Sequence, residues 1–266
     1  MLWPATNDTM AARVVVTLAG PTTAESLLNH LESAQSLGKV FDATIVAMAS
    51  LAEPGEAGNH ILRTQHYVRA LALQLKTSPV YAALLSEQTV DVLFRATPWH
   101  DIGNAGVPDR ILLKPGALTD EELDIVKTHP VLGRNTIDQI QLATGEAMDF
   151  LTTAREIAYC HQERWDGGGY PQGLVGERIP VAARLMAIAD AYDALTSRRV
   201  YREGVPHGVA VQQIFQQRAA HFDPDMVDAF IEIQDEFLAI ARRYADTDGD
   251  FQKKIDYMAK AIAESP

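Results

Sequence analysis

The chain has 266 residues, of which 47% are hydrophobic, enough to bury a sizeable core and to exclude disorder as the dominant state. With 35 acidic against 23 basic residues, the net charge of −12 disfavours general electrostatic binding to a nucleic-acid polymer or an anionic membrane. No apolar run approaches the roughly 20 residues of a membrane-spanning helix, and the N-terminus carries no secretion-signal pattern. We therefore expect a cytoplasmic protein, and its single cysteine, Cys160, excludes an internal disulfide.

The N-terminal residues predict a short strand followed by two helices. β-Branched residues at 13–19 are typical of a strand. A threonine–glutamate capping box predicts a helix over 22–37, which we expect to end at Gly38, and a second helical pattern covers 40–52. We interpret residues 1–40 as an N-terminal helical extension or linker helix. The alternative is a helix that relays a signal or forms the contact of a homodimer.

The rest of the chain, residues 41–266, shows one helical pattern after another, interrupted at turns that contain proline and glycine. A capping box at 119–122 predicts a helix that ends near Pro130. Pro180 suits the first turn of a helix that continues to about Thr196. These patterns predict an all-α domain.

Asp190 is the first candidate functional residue, because it lies in a helix that is apolar nearly all round. A carboxylate buried there needs a cation or hydrogen bonds to offset its desolvation. A salt bridge with Arg184 and a bound metal ion explain Asp190 equally well at this point.

Several histidines lie at predicted helix ends or on apolar faces. Adjacent residues His100 and Asp101 can face one point only where the backbone leaves a regular helix. Glu56 and His60, four residues apart, share a helix face, which suits a metal ion or a simple intrahelical contact. His129 lies on an apolar face. Taken singly, each of these histidines is more simply explained as a structural residue.

Taken together, the histidines and carboxylates indicate a metal centre. A mixed imidazole and carboxylate set suits iron, manganese, nickel or zinc, and bridging carboxylates suit a pair of ions. Two such ions can acidify a shared water and screen the leaving oxygen during displacement at phosphorus. The histidines of this set are His60, His100, His129 and His161.

Two further segments could bind a phosphodiester. Three successive glycines at 167–169 allow a ligand to approach the backbone, and Tyr170 follows them as an aromatic donor. Arg198, Arg199 and Arg202 form a basic cluster in an acidic protein, and their guanidinium groups suit bidentate phosphate binding. A surface loop and solvated charges at a helix end are the alternatives.

Three blocks of sequence resemble the HD-GYP family of cyclic di-GMP phosphodiesterases. His100-Asp101-Ile102-Gly103 resembles the family's HDIGK motif, residues 163–171 resemble its HHExxDGxGYP motif, and residues 189–197 resemble the block that follows. The match runs in the same order from about residue 43 to about residue 233. The resemblance implies an HD-domain helical bundle over 41–266, preceded by the extension.

The resemblance also implies site residues. It predicts two divalent metal ions, with a third as the alternative, and a bridging role for Asp101. The implied ligands are Glu56, His60, His100, Asp101, His129, His161 and Asp190. Tyr170, Arg199 and Arg202 are implied to hold the phosphates and guanines of the ligand.

Two positions depart from the family pattern. Asn104 stands where the family has a lysine near the scissile phosphate, so a hydrogen-bond donor is kept and a charge is lost. By analogy with the loss of one transition-state donor, the rate could fall about 10²–10³-fold. Gln162 stands where the family has a second histidine, so we expect one metal position to bind its ion less tightly.

The leading hypothesis is a metal-dependent phosphodiesterase that hydrolyses cyclic di-GMP to pGpG, with further hydrolysis to GMP left open, in bacterial second-messenger signalling. His100, Asp101 and Asn104 are the candidate catalytic residues. A second hypothesis is a receptor or scaffold that binds cyclic dinucleotides and signalling proteins with weakened or lost catalysis. A third keeps the hydrolase but takes pGpG or another nucleotide as its substrate.

Overall fold

The computed structural model describes residues 24–53, 58–145, 148–198 and 203–264. The chain divides into two compact units, Met1–Thr44 and Ile45–Pro266. The strand predicted at 13–19 lies outside the described residues. The domain boundary between residues 40 and 41 stays a prediction.

The described residues of the first unit belong to helix α1, Ala24–Ala52. The helix passes through Gly38 without interruption, so the prediction that Gly38 ends a first helix was wrong. A glycine ends a helix most effectively when it adopts a left-handed conformation, and Gly38 does not. Inside a helix a glycine costs only about 1 kcal/mol relative to alanine, which its helix-forming neighbours outweigh.

The second unit consists of α-helices joined by short turns, with no strand among its described residues. Its helices are α2 (Gly58–Leu75), α3 (Pro79–Ala82), α4 (Glu87–Ala96), α5 (Asp109–Leu112), α6 (Asp120–Val126), α7 (His129–Thr144), α8 (Asp149–Cys160), α9 (Val181–Thr196), α10 (His207–Gln216), α11 (Pro224–Glu232), α12 (Gln234–Arg243) and α13 (Asp248–Glu264). Three 3₁₀ segments occur at Thr97–Trp99, Ile102–Gly106 and Gly176–Arg178. Over the described ranges, no helix has the length and apolarity needed to cross a membrane.

Helices α2 and α9 form the centre of the core. Helix α2 packs against α4, α9 and α12, while α8 packs against α4, α7 and α9. Between α2, α9 and α12 the ring of Tyr67 stacks on Phe237 at 4.4 Å and meets Tyr192 edge-on at 5.3 Å. All three aromatic side chains are fully buried. This packing fixes α2 and α9 relative to each other, and both helices contribute residues to the site described below.

Two predicted helix boundaries are confirmed and two are corrected. Thr119 caps α6 through a reciprocal capping box with Glu122. That helix ends at Val126 rather than near Pro130, because His129 already begins α7 and Pro130 lies in the first turn of that helix. Helix α9 ends at Thr196 as predicted, and Pro180 is its N-cap residue, directly before the first turn rather than in it.

Candidate metal centre

His100 and Asp101 lie between two 3₁₀ segments, as expected for adjacent residues that face one site. The second 3₁₀ segment packs closely on α7. A Cβ atom at Gly103 would lie 2.0 Å from the carbonyl oxygen of His129 and 2.5 Å from the amide nitrogen of Gly133. Only glycine allows this approach, which places Asp101 beside the start of α7.

The first group of candidate ligands consists of Glu53, His60 and His100, all of them buried. Glu53 directly follows α1, and His60 lies in the first turn of α2. The Nε2 atoms of the two histidines are 3.4 Å apart. The Glu53 carboxylate lies 3.5 Å from Nε2 of His60 and 4.0 Å from Nε2 of His100.

The second group consists of Asp101, His129 and His161. His129 begins α7 and His161 follows the last residue of α8, so the packing of these two helices brings the rings together. Their Nε2 atoms are 3.3 Å apart. Oδ1 of Asp101 lies 3.3 Å from Nε2 of His129 and 3.2 Å from Nε2 of His161.

Hydrogen bonds at Nδ1 fix the tautomer of all four rings. His100 donates to the carbonyl of Thr97 at 3.1 Å, and His129 donates to that of Val126 at 2.7 Å. Nδ1 of His161 lies 3.1 Å from the carbonyl of Ile157 and 3.2 Å from that of Ala158. Nδ1 of His60 donates to the carboxylate of Asp193 at 2.8 Å. Because carbonyl and carboxylate oxygens only accept, each neutral ring presents a lone pair at Nε2.

The facing lone pairs fit bound cations. In each group two Nε2 atoms and a carboxylate converge within 4.8 Å. Among the described residues no donor satisfies Oδ1 of Asp101, although that atom is buried. Such an arrangement is unfavourable without positive charge between the atoms, and two imidazoles with a carboxylate suit a divalent transition metal. Both groups can therefore hold metal ions.

The pKa values of His100 and His129 agree with this interpretation. Burial lowers the pKa of His100 to about 4, although the charge of Asp101 acts in the opposite direction. Burial also lowers the pKa of His129. For His161, burial acts to lower the pKa, but contact with Asp101 outweighs it and raises the pKa above its ordinary value. His100 and His129 are thus neutral at pH 7, as a metal ligand must be.

Asp101 connects the two groups. Its Oδ1 faces His129 and His161, and its Oδ2 lies 3.9 Å from Nε2 of His100. Burial acts to raise the pKa of Asp101, but the neighbouring histidines hold it well below its ordinary value. A carboxylate with one oxygen towards each group has the geometry of a bridging ligand.

Asp190 lies half-buried on α9. Its charge acts to raise the pKa of His100, His129 and His161, so it belongs to the electrostatic surroundings of both groups. The alternative salt bridge with Arg184 was wrong, because Arg184 pairs with Asp223 at 2.5 Å. A ligand role for Asp190 stays a prediction.

Sequence reasoning missed two residues, Glu53 and Asp193. Glu56 falls in the segment 54–57, outside the described residues, and the carboxylate that the structure places at the first group is Glu53. Asp193 is the fully buried carboxylate of α9, so the burial argument made for Asp190 applies to it. Burial acts to raise the pKa of Asp193, but His60 and Arg63 outweigh it and hold the pKa well below its ordinary value.

The glycine-rich loop places Tyr170 beside the second group. The ring of Tyr170 meets that of His129 edge-on at 6.3 Å. Burial, with the charges of Asp101 and Asp190, raises the pKa of Tyr170 to about 12, so its phenol stays neutral and can donate. Buried Glu163 shapes the loop by accepting hydrogen bonds from the amides of Gln172 at 2.7 Å and Leu174 at 2.9 Å.

Asn104 and Gln162 are half-buried. The amide of Asn104 donates to the carbonyl of Asp101 at 2.9 Å, which places Asn104 one 3₁₀ turn after Asp101. The carbonyl of Gln162 accepts a hydrogen bond from the amide of Tyr170 at 3.2 Å. Arg199 and Arg202 lie outside the described residues.

The chain is similar in sequence to known proteins. Residues 57–226 match a family model described as HD domain. The chain belongs to the HD domain family. The chain is 43% identical over 253 residues to a probable cyclic di-GMP phosphodiesterase of Vibrio cholerae, covering 91% of this chain and 57% of that protein. A second V. cholerae protein, named cyclic di-GMP phosphodiesterase, is 45% identical over 223 residues, covering 83% and 45% of the two chains.

Both relatives are longer than this chain, which spans about half their length. The crystal structure of a cyclic GMP-AMP-specific phosphodiesterase of V. cholerae superimposes with a TM-score of 0.52 at 16% identity, covering 85% of this chain and 61% of that one. This likeness confirms the all-helical HD-domain fold. The sequence relatives confirm the resemblance to cyclic di-GMP phosphodiesterases.

Proposed function

We propose that this HD domain is a metal-dependent phosphodiesterase that hydrolyses cyclic di-GMP to pGpG. One observation carries the proposal: two groups of imidazole and carboxylate ligands, with every Nε2 lone pair directed inward, meet at Asp101. The named activity of the V. cholerae relatives supports a cyclic dinucleotide as substrate. Manganese and iron(II) are the first ions to test, with nickel and zinc as alternatives that the same ligands accept.

A pair of divalent ions supplies positive charge for the phosphate and makes a water molecule a stronger nucleophile. The residues of the chain supply orientation. Asp101 fixes the two ligand groups relative to each other. The neutral phenol of Tyr170 can donate a hydrogen bond to a phosphate oxygen. The side-chain amide of Asn104 can donate a second one. Arg199 and Arg202 stay the predicted phosphate ligands of the segment that follows α9.

Asn104 favours a second candidate function, a cyclic-dinucleotide receptor. Its amide supplies no charge where the HDIGK motif that this segment resembles has lysine, and by analogy with a lost transition-state donor the rate would fall about 10²–10³-fold. Gln162 acts in the same direction, because a glutamine is a weaker metal ligand than an imidazole. A receptor would bind two ions and the ligand without forming a product.

The preference of the proposed enzyme for cyclic di-GMP over 3′3′-cGAMP is tested by measuring the hydrolysis of each. A V. cholerae relative named 3′3′-cGAMP-specific phosphodiesterase 2 is 35% identical over 195 residues, covering 73% of this chain and 35% of that protein. We propose cyclic di-GMP because the relatives with 43% and 45% identity carry that name. Faster hydrolysis of 3′3′-cGAMP would overturn that part of the proposal.

The deciding experiment loads the purified chain anaerobically with manganese or iron(II) and follows each dinucleotide by chromatography. Asp101→Asn removes the bridging charge with little change of shape. Asp91→Asn is the matched control, since Asp91 lies on the surface of α4 in an ion pair with Arg95. Product from the wild type and from Asp91→Asn, but not from Asp101→Asn, supports the enzyme. Two bound ions and a bound dinucleotide without product would support the receptor.

A further inference from the structure

His60 differs from the other three histidines of the metal centre in the partner of its Nδ1 atom. His100, His129 and His161 donate to backbone carbonyls. His60 donates to a carboxylate, that of Asp193, at 2.8 Å. A carboxylate partner orients an imidazole and increases its strength as a metal ligand more than a neutral carbonyl does.

The carboxylate of Asp193 is itself held on both oxygens. Nε of Arg63 donates to Oδ1 at 2.5 Å, while the other arm of the guanidinium donates to Oδ2 at 3.0 Å. The hydroxyl of Ser197 also donates to Oδ2 at 3.1 Å. Asp193 is 1% exposed and Arg63 is 3% exposed, so water does not compete for these bonds.

Arg63 is anchored in turn from its far side. It donates to the carbonyl of Tyr244 at 2.9 Å and lies 3.2 Å from the carboxylate of Asp246. Since Arg63 and His60 are three residues apart on α2, they lie on one face of that helix and meet the same carboxylate of α9. The ring of His60 is therefore held by a chain of charged groups, and that arrangement occurs at the first group alone among the described ligands.

We propose that Asp193, fixed by Arg63, is a positioning residue that supports one ion position selectively, the one formed by Glu53, His60 and His100. The position formed by Asp101, His129 and His161 has no contact with this pair and does not depend on it. The inference rests on the proposed metal centre, and it adds the residues that control the occupancy of one half of that centre.

The test measures metal binding, so it needs no activity. Metal-free protein is titrated with Mn²⁺ by equilibrium dialysis, which gives the number of ions bound and the affinity of each step. His60→Ala and His129→Ala identify which step belongs to which position. Asp193→Asn removes the charge of the positioning carboxylate and keeps its shape.

Two further variants separate positioning from folding. Asp193→Asn leaves the charge of buried Arg63 without its main partner, which is costly for the fold. The double variant Arg63→Gln with Asp193→Asn keeps the net charge and avoids that cost. Asp223→Asn is the matched control, since Asp223 is also buried and also pairs with an arginine, Arg184, but has no contact with a histidine of the centre.

We expect both Asp193 variants to weaken the Mn²⁺ step assigned to His60 by about 10- to 100-fold and to leave the other step unchanged. Asp223→Asn should leave both steps unchanged. Equal weakening of both steps, or no weakening in the double variant, would overturn the positioning role. If the wild type binds no Mn²⁺, the proposed metal centre itself is wrong, which is a distinct result.

Discussion

The backbone of Gly103 lies against the carbonyl group of His129, so closely that a Cβ atom at Gly103 would be 2.0 Å from the carbonyl oxygen. This contact joins the 3₁₀ segment after Asp101 to the first turn of α7. It therefore fixes the distance between the Asp101 carboxylate and one of its histidine neighbours. Neither backbone can move away without separating the residues of the second ligand group.

Gly103→Ala is expected to destabilise the fold and the second ion position together. A methyl group forced into this contact should cost about 1–3 kcal/mol, measured as a lower midpoint of urea unfolding, and Mn²⁺ dialysis should show a weakened step. Gly208→Ala is the control, because a Cβ at that position in α10 meets nothing within 4 Å. A loss of stability in Gly103→Ala no larger than in Gly208→Ala would contradict the contact.

Asn104→Lys should increase the rate of cyclic di-GMP hydrolysis if Asn104 occupies the position of the family's lysine. Restoring a charged donor to a phosphate should raise kcat by about 10²-fold, measured from initial rates under saturating substrate and metal. Asn135→Lys adds the same charge at an exposed position of α7 and serves as the control. An unchanged kcat would indicate that residue 104 does not contact the phosphate.

Glu53→Gln is expected to weaken the ion position that contains His60 and His100. The Glu53 carboxylate lies 3.5 Å from Nε2 of His60, and an amide is a weaker ligand than a carboxylate. The measurement is the Mn²⁺ affinity of the step assigned to His60. Glu56→Gln makes the same chemical change at the position predicted from the sequence. A loss in Glu56→Gln alone would remove Glu53 from the ligand set.

His221 is expected to make the fold less stable as the pH falls from about 6.5 to about 4. Burial, aided by the charge of Arg164, lowers its pKa to about 4 in the folded chain. In this range the unfolded chain binds a proton that folded His221 does not, so acidification favours unfolding, by up to about 3 kcal/mol.

The check is urea unfolding of metal-free protein at pH 7.5 and pH 5. His221→Gln should lose less stability between these pH values than the wild type does, because glutamine does not titrate. The carboxylates of the chain titrate in both proteins and cancel in the comparison. An equal loss in both would show that His221 does not carry this dependence.

The sequence predicts the helices well because their signals are local. The capping box of α6 and the proline before α9 both depend on residues a few positions apart. The prediction that a helix ends at Gly38 was wrong for a related reason. Glycine permits a left-handed conformation but does not impose one, and α1 continues through it.

The site could be predicted only in part, since the rotation of each helix depends on its neighbours. Asp190 and Asp193 are three residues apart and face nearly the same direction on α9. The sequence does not show which of the two side chains is fully buried. In the structure Asp193 is the one that pairs with Arg63, a residue of α2 that lies 130 positions earlier in the chain. The four histidines were recognisable together because they lie at predicted helix ends or on apolar faces, alongside carboxylates that need a cation.

The carbonyl partners of three histidines have a consequence for mutational studies. The acceptors at Thr97, Val126 and Ala158 belong to the backbone, so replacing those side chains leaves the acceptors in place. An alanine scan would therefore not detect the contribution of these three carbonyl groups. Only the acceptor of His60, the carboxylate of Asp193, can be deleted by a single codon change. A single substitution can therefore weaken one ion position through its orienting contact, while the other three orienting contacts do not depend on the identity of a side chain.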